Sequence, residues 1–178
     1  WIREVEDQQP WIDRYPDIHP RFLFVNLGYN LRATELQGAM GLVQLPKLSD
    51  YVKTRRENAE WLGQRLSKHA EHLHCQTETP EGAHSWFGFP ITIAESAPFG
   101  VEDIMTALGA NGIETRPIIC GNIARQPGLK MYTHRVYGDL KHASAVMDRG
   151  FSFGNHQHID DAARAHIADS IDSFMRAN

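Results

Sequence analysis

Ser85-Trp86-Phe87-Gly88-Phe89-Pro90-Ile91-Thr92-Ile93 is the stretch where the chain changes its period. Within it Phe87, Phe89, Ile91 and Ile93 alternate with Trp86, Gly88, Pro90 and Thr92, the two-residue repeat of a half-buried strand. Pro90 has no amide to donate, so the alternation predicts an edge strand or a bulge. Upstream, apolar residues recur instead every three or four positions, the repeat of a helix with one buried face.

Working outward, Thr34 stands three residues before Gln37, a capping box that opens a helix by satisfying two of its free amides. Leu36, Met40 and Val43 follow at helical spacing, and Pro46 suits the first position of a second helix. In that helix Leu48, Val52, Arg55, Ala59, Leu62 and Leu66 form a long apolar stripe with one basic intruder. Downstream of the strand, Val101, Ile104, Met105 and Leu108 predict a short helix stopped at Asn111-Gly112. Ile113 to Ile119 reads as a second strand and Phe151 to Asn155 as a third. Asp139 is expected to cap a helix carrying Leu140, Ala143 and Met147 and ended by Gly150; Asp160 caps a last one with Ala163, Ile167, Ile171 and Phe174 on one face.

The expected fold class is α+β: a small sheet with helices on one face, preceded by a long helix pair. Residues 1–32 read as a connector, 33–69 as helices long enough to bridge domains, and 70–178 as a small α+β domain. In the connector Pro10, Pro16 and Pro20 interrupt any period while Trp1, Ile2, Trp11 and Phe22 stay apolar, which predicts an extended segment packed against other structure. Three short strands bury little, so the long helix is expected to pack on further structure too. With Trp1 in place of an initial Met and no signal segment, the chain is expected to be a piece of something longer.

Composition narrows the class of function. A net charge of −4, with no basic run beyond pairs such as Arg55-Arg56, gives no footprint for nucleic acid. No apolar run approaches the roughly 18 residues of a membrane span. Cys75 and Cys120 stand far apart with no CxxC, which fits a reducing cytoplasm.

Four groups of residues bear on chemistry. Gly28-Tyr29-Asn30-Leu31-Arg32 places a flexible residue, an amide and a guanidinium just before a helix start, where an anionic oxygen could bind. An ordinary turn with a solvated arginine accounts for the same residues, and is the commoner case. Arg116 lies inside an apolar strand before Pro117, so it needs an anionic partner: Glu114 on the same face, or the phosphate or carboxylate of a ligand. His156 and His158 sit at a strand end with no third ligand in a matching pattern, so loop hydrogen bonding is favoured and no metal is expected. Finally, the five lysines, Lys47, Lys53, Lys68, Lys130 and Lys141, all occupy polar or solvated positions. A Schiff-base enzyme needs a desolvated lysine beside its cofactor, and none is apparent here, so no catalytic residue is assigned.

The string Gly28-Tyr29-Asn30-Leu31-Arg32-Ala33-Thr34-Glu35-Leu36-Gln37-Gly38-Ala39-Met40 resembles the motif that opens the carboxyl-terminal region of DegT/DnrJ-type sugar aminotransferases. Ser85-Trp86-Phe87-Gly88-Phe89, Arg116-Pro117-Ile118 with Gly121-Asn122, and Gly154-Asn155-His156-Gln157 resemble most the branch of GDP-4-keto-6-deoxy-D-mannose 3-dehydratases. The likeness runs from about Phe22 to the end. It implies the carboxyl-terminal domain of a fold-type-I enzyme that uses pyridoxal 5'-phosphate or pyridoxamine 5'-phosphate, the cofactor being held mainly by a large upstream domain.

The likeness further implies a cytoplasmic homodimer acting on a nucleotide-sugar, in which Asn30 reaches the neighbouring subunit's cofactor phosphate. Arg116 and Asn122 would stand on the sugar-nucleotide side of the site. The expected reaction is C3 dehydration of a nucleotide-linked 4-keto-6-deoxy sugar in deoxysugar or O-antigen biosynthesis. C4 amination is the alternative, because an upstream histidine marks the dehydratases where a lysine marks the aminotransferases. A stand-alone interaction module without chemistry is a further alternative; the chain by itself is expected to be inactive.

Overall fold

The computed structural model describes residues 7–29 and 31–178. The chain divides into two units, Trp1–Leu45 and Pro46–Asn178, so the division falls inside the helix pair expected over 33–69.

In the first unit helix α1 spans Gln9–Arg14 and a 3-10 turn spans Pro20–Phe22. The sequence predicted an extended connector here. Pro10 and Pro20 instead sit in the first positions of these elements, where a residue without an amide and with φ already set favours a helix start. Phe22 is exposed, as are most of the described side chains of this stretch, while Leu23 is buried. Helix α2, Glu35–Gln44, begins as predicted: the Gln37 amide donates to Thr34 Oγ1 at 3.4 Å and the Thr34 amide donates to Gln37 Oε1 at 2.7 Å. Its apolar stripe, Leu36, Met40 and Val43, is exposed.

In the second unit Pro46 stands within a 3-10 turn, Leu45–Lys47, rather than opening the long helix α3, which spans Leu48–Leu66. Ala59, Leu62 and Leu66 from the carboxyl-terminal half of its stripe are buried, whereas Leu48 is exposed. The remaining elements are β1 (Leu73–Cys75), β2 (Gly88–Ile93), α4 (Val101–Ala110), β3 (Thr115–Pro117), α5 (Lys141–Arg149), β4 (Gly150–Gly154) and α6 (Asp161–Ala177). The four strands form one antiparallel sheet in the order β1-β2-β4-β3. Strand β1 has no counterpart among the sequence expectations, because three residues are too few to show a period.

Register puts the apolar residues on one face. Phe89 pairs with Phe153 and Ile91 with Phe151, and these four with Ile93 are buried against Leu62 and Leu66 of α3, Ile104 and Leu108 of α4, and Ile167 and Ile171 of α6. Helix α5 packs against β2 and β4 without contributing to that buried cluster. Asp139 does accept from the Lys141 amide at 3.1 Å, but Leu140, expected inside the helix, is its cap, with φ +53°. Gly150 opens β4, and Asp160 caps α6 by accepting from the Ala163 amide at 2.8 Å.

Two expectations for the quoted stretch fail. Pro90 lies on an interior strand, between β1 and β4. Its carbonyl accepts from the Gln76 amide at 3.3 Å, so its missing N–H faces Gln76, one residue past the end of β1, and only the last rung of that ladder lacks a bond. Phe87, assigned to the buried face, is 81% exposed, and Trp86, assigned outward, is the buried residue.

Burial also separates the two thiols. Cys75 is partly buried and that burial pushes its pKa up to about 11, whereas Cys120 is exposed. At pH 8 only about one Cys75 in a thousand is then the reactive thiolate. A disulfide-exchange reagent added without denaturant is expected to consume Cys120 first and Cys75 only on unfolding. Equal rates for both thiols would contradict this placement.

Candidate functional site

The ends of β2, β3 and β4, with α3 on one side and α6 on the other, enclose an open cleft of about 600 Å³. Its lining includes Arg55, Phe87, Ile113, Arg116, His156 and Ile167. Each arrives by a different element. Arg55 is the basic intruder of the α3 stripe, Arg116 is the middle residue of β3, opposite Ser152, and His156 lies two residues past β4.

Asn155 ties these elements together. It is 1% exposed; its amide N–H donates to the Phe87 carbonyl at 3.3 Å and its Nδ2 to the Arg55 carbonyl at 2.8 Å. Arg55 Nη2 in turn donates to Gln157 Oε1 at 3.2 Å. Arg55 Nε and Asn155 Oδ1 are buried and have no partner among the described residues, which is uncommon for buried polar atoms and marks this end of the cleft.

Arg116 has the internal partner that the sequence offered. Its Nε and Nη2 donate to Glu114 Oε1 at 3.1 and 2.7 Å, with the two side chains 73% and 77% exposed. A pair so open to water contributes little, so the guanidinium can exchange this carboxylate for a ligand anion at small cost.

Asn122 is elsewhere. It is 4% exposed, its Nδ2 donates to Ser144 Oγ on α5 at 3.0 Å, and its Oδ1 accepts from the Ala124 amide at 3.0 Å. It caps the 3-10 turn Ile123–Arg125 and is not among the residues lining the cleft. Next to it Gly121, at φ +65°, lies so close to α5 that a Cβ would stand 2.3 Å from Met147 Cβ; only glycine fits. The structure therefore does not bring Arg116 and Asn122 together: one faces the cleft and the other holds the loop between β3 and α5 onto its helix.

Asn30 lies outside the described residues. The His156 and His158 rings approach with centroids 4.9 Å apart, and among the described residues no group of three or more His, Cys, Asp or Glu is placed to hold a metal ion. None of the five lysines lines the cleft; Lys53 pairs with Glu57 at 3.9 Å and Lys68 with Asp172 at 2.7 Å.

The approach to β2 is fixed by Glu78. Arg56 grips its carboxylate through both nitrogens, at 2.7 and 2.9 Å, and the His84 amide donates to the same group. The guanidinium first, and then that amide, hold the carboxyl at about 2, so it is ionised at any ordinary pH.

Sequence reasoning overlooked Arg55 and Phe87 as site residues. The one available signal was an arginine in an otherwise apolar helical stripe, since a charge there needs a partner that the helix cannot supply.

A small antiparallel sheet backed by helices thus gathers cationic and aromatic groups at its strand ends. The chain belongs to the DegT/DnrJ/EryC1/StrS aminotransferase family, whose pattern matches residues 6–172. It is 37% identical over 137 residues to GDP-4-keto-6-deoxy-D-mannose 3-dehydratase of Yersinia pseudotuberculosis, covering 76% of this chain and 34% of that protein. It is 30% identical over 158 residues to lipopolysaccharide biosynthesis protein RfbH of Salmonella typhimurium, covering 89% of this chain and 36% of that one.

Among solved structures it resembles Escherichia coli GDP-4-keto-6-deoxy-D-mannose-3-dehydratase with bound hydrated PLP, with a TM-score of 0.74 at 33% identity over 85% of this chain and 38% of that one. The chain thus spans about a third of the length of the curated relatives it matches. Among the described residues no helix is long and apolar enough to cross a membrane.

Proposed function

We propose that this chain is the carboxyl-terminal part of an enzyme that removes the C3 hydroxyl of a nucleotide-linked 4-keto-6-deoxy sugar, with pyridoxal or pyridoxamine 5'-phosphate as cofactor. The observation that carries this is the cleft at the strand ends, where Arg55 and Arg116 flank an aromatic wall, in a chain 37% identical to a dehydratase of such a sugar. Two guanidiniums suit the phosphates of a sugar nucleotide, because each presents a planar fork of donors that an anionic oxygen pair can accept.

The described residues fit the substrate end of such a site better than the cofactor's aldehyde. The cleft holds no lysine, so no step through the cofactor is assigned to this chain. When bound, the cofactor supplies an amine for the keto carbon and an electron sink. This chain's part is to bind and orient: Arg116 meets the anionic end of the substrate and Arg55 is held by Gln157 at the other wall, while Asn122 only holds the loop after β3 onto α5.

Asn30 would donate to the cofactor phosphate of a neighbouring subunit in a homodimer. The exposed Leu36, Met40 and Val43 on α2, just after it in sequence, support a surface that another protein mass covers. We place the enzyme in the cytoplasm, where nucleotide-sugars are made, with no nucleic acid or membrane as partner.

The test uses the full-length enzyme with GDP-4-keto-6-deoxymannose, cofactor and glutamate. A 3-deoxy sugar product is expected by mass spectrometry; a 4-amino product instead would replace the dehydratase reading with an aminotransferase. Arg116→Ala is expected to raise KM about tenfold or more with kcat little changed, the pattern of lost ground-state binding. An unaltered KM would remove Arg116 from the site.

A further inference from the structure

The alternation of β2 breaks at one residue, and the break makes a surface. Trp86 adopts φ +50°, a conformation that is sparsely populated for a bulky side chain and persists only when its surroundings hold it. They do: its ring stacks on Phe89 at 5.9 Å, the His84 ring meets it edge-on at 4.8 Å, and its amide donates to His84 Nδ1 at 3.1 Å. Turning Trp86 inward turns Phe87 outward. The Phe87 backbone is in turn fixed by the bond its carbonyl accepts from Asn155.

A large exposed aromatic held rigidly at the mouth of a cleft is suited to contact with a ligand rather than to packing. The guanidinium carbon of Arg55 lies over the Phe87 ring, 5.9 Å from its centroid. Arg116 and His156 line the same cleft. The ring offers a planar apolar surface, and the guanidiniums beside it offer charge for phosphate; a nucleotide is the class of ligand that uses both.

We infer that Phe87, backed by Arg55 and displayed by the inward turn of Trp86, is the stacking wall for the nucleobase of a nucleoside diphosphate group. This rests on the proposed reading of a nucleotide-linked sugar as substrate, and adds to it the residue that holds the base.

The test is equilibrium binding of GDP and of inorganic pyrophosphate to the full-length enzyme, compared with its Phe87→Ala, Phe87→Tyr and Arg116→Ala variants. Phe87 is largely exposed, so its replacement leaves the core intact. Phe87→Ala is expected to weaken GDP about tenfold, the usual scale for losing one base–aromatic stack, while pyrophosphate binding stays unchanged. Phe87→Tyr keeps the ring and should stay within about twofold of the parent for GDP. Arg116→Ala should weaken both ligands.

Phe87→Ala binding GDP as tightly as the parent overturns the stacking role and leaves the nucleotide reading standing. Equal loss of GDP and pyrophosphate in that variant also overturns it, since the defect would then not concern the base. If the parent enzyme does not bind GDP, the reading of a GDP-linked substrate falls, and the stacking role falls with it.

Discussion

Replacing Phe151 by alanine is expected to lower the unfolding free energy by about 3–5 kcal/mol, the range for truncating a fully enclosed aromatic. Phe151 is wholly buried at the centre of the sheet, paired with Ile91 of β2 on one side and Pro117 of β3 on the other. Its ring joins the cluster that α3, α4 and α6 cover. Neighbours on two strands and three helices cannot collapse together into the space it leaves, so most of the lost volume should persist as a cavity. Because β4 lies between β2 and β3, the defect should also loosen the strand that carries Arg116. Chemical denaturation with both far-ultraviolet and near-ultraviolet circular dichroism would measure this. A loss below about 1 kcal/mol would mean that the sheet is not packed as described.

The second large effect concerns Asp172 on α6, whose side chain is only 3% exposed and which meets three basic groups at the end of α3. Arg65, Lys68 and His69 each approach its carboxylate to 2.7 Å. Burial pushes the carboxyl up, but hydrogen bonds from Lys68 and His69, with the charges of Lys68 and Arg65, outweigh it and leave it below the ordinary carboxylate range. Asp172→Asn keeps the shape and removes the charge, leaving three donors around a neutral amide. The expected loss is about 2 kcal/mol, below the 3–5 of a wholly enclosed pair because Arg65 and Lys68 remain partly hydrated.

The pH dependence has a definite sign. A carboxyl whose folded pKa is depressed contributes stability that is complete above its unfolded value of roughly 3.9 and is lost as pH falls through the lower folded value. The gap between parent and Asp172→Asn should therefore be full at pH 7 and narrow once the solution is more acidic than about pH 4. A gap of the same size at pH 3 and pH 7 would show that charge is not what Asp172 contributes.

Local rules carried two of the helix starts. Thr34 with Gln37, and Asp160 with Ala163, are interactions between near neighbours, so residue order alone prescribes them, and the structure contains both. The long stripe of α3 was legible because periodicity reports which side of an element faces an apolar interior, and the stop at Asn111-Gly112 because a helix end is a local signal. Family motifs spread along the chain carried membership, since they are strings of residues and need no coordinates to be seen.

What escaped were features in which distant segments settle a local choice. Pro90 reads as an edge residue because it lacks a donor, but whether that donor is missed depends on where a three-residue partner strand ends. Whether Trp86 or Phe87 goes inward is settled by the buried cluster from distant helices and strands that Trp86 joins, and by the Asn155 amide that fixes the Phe87 carbonyl. Arg55, Arg116 and Asn155 are separated by tens of residues and meet only because the ends of β3 and β4 are brought beside α3.

Sequence by itself thus determined the type of most elements, the α+β class and the family, because these follow from short-range hydrogen bonding and from the spacing of apolar side chains. Tertiary structure alone decided the strand order, the outward display of Phe87, the burial of Asn122 away from the cleft, and which arginines share it. Each of those is a contact between segments far apart in the chain, and its energy exists only once the whole sheet and its helices are packed.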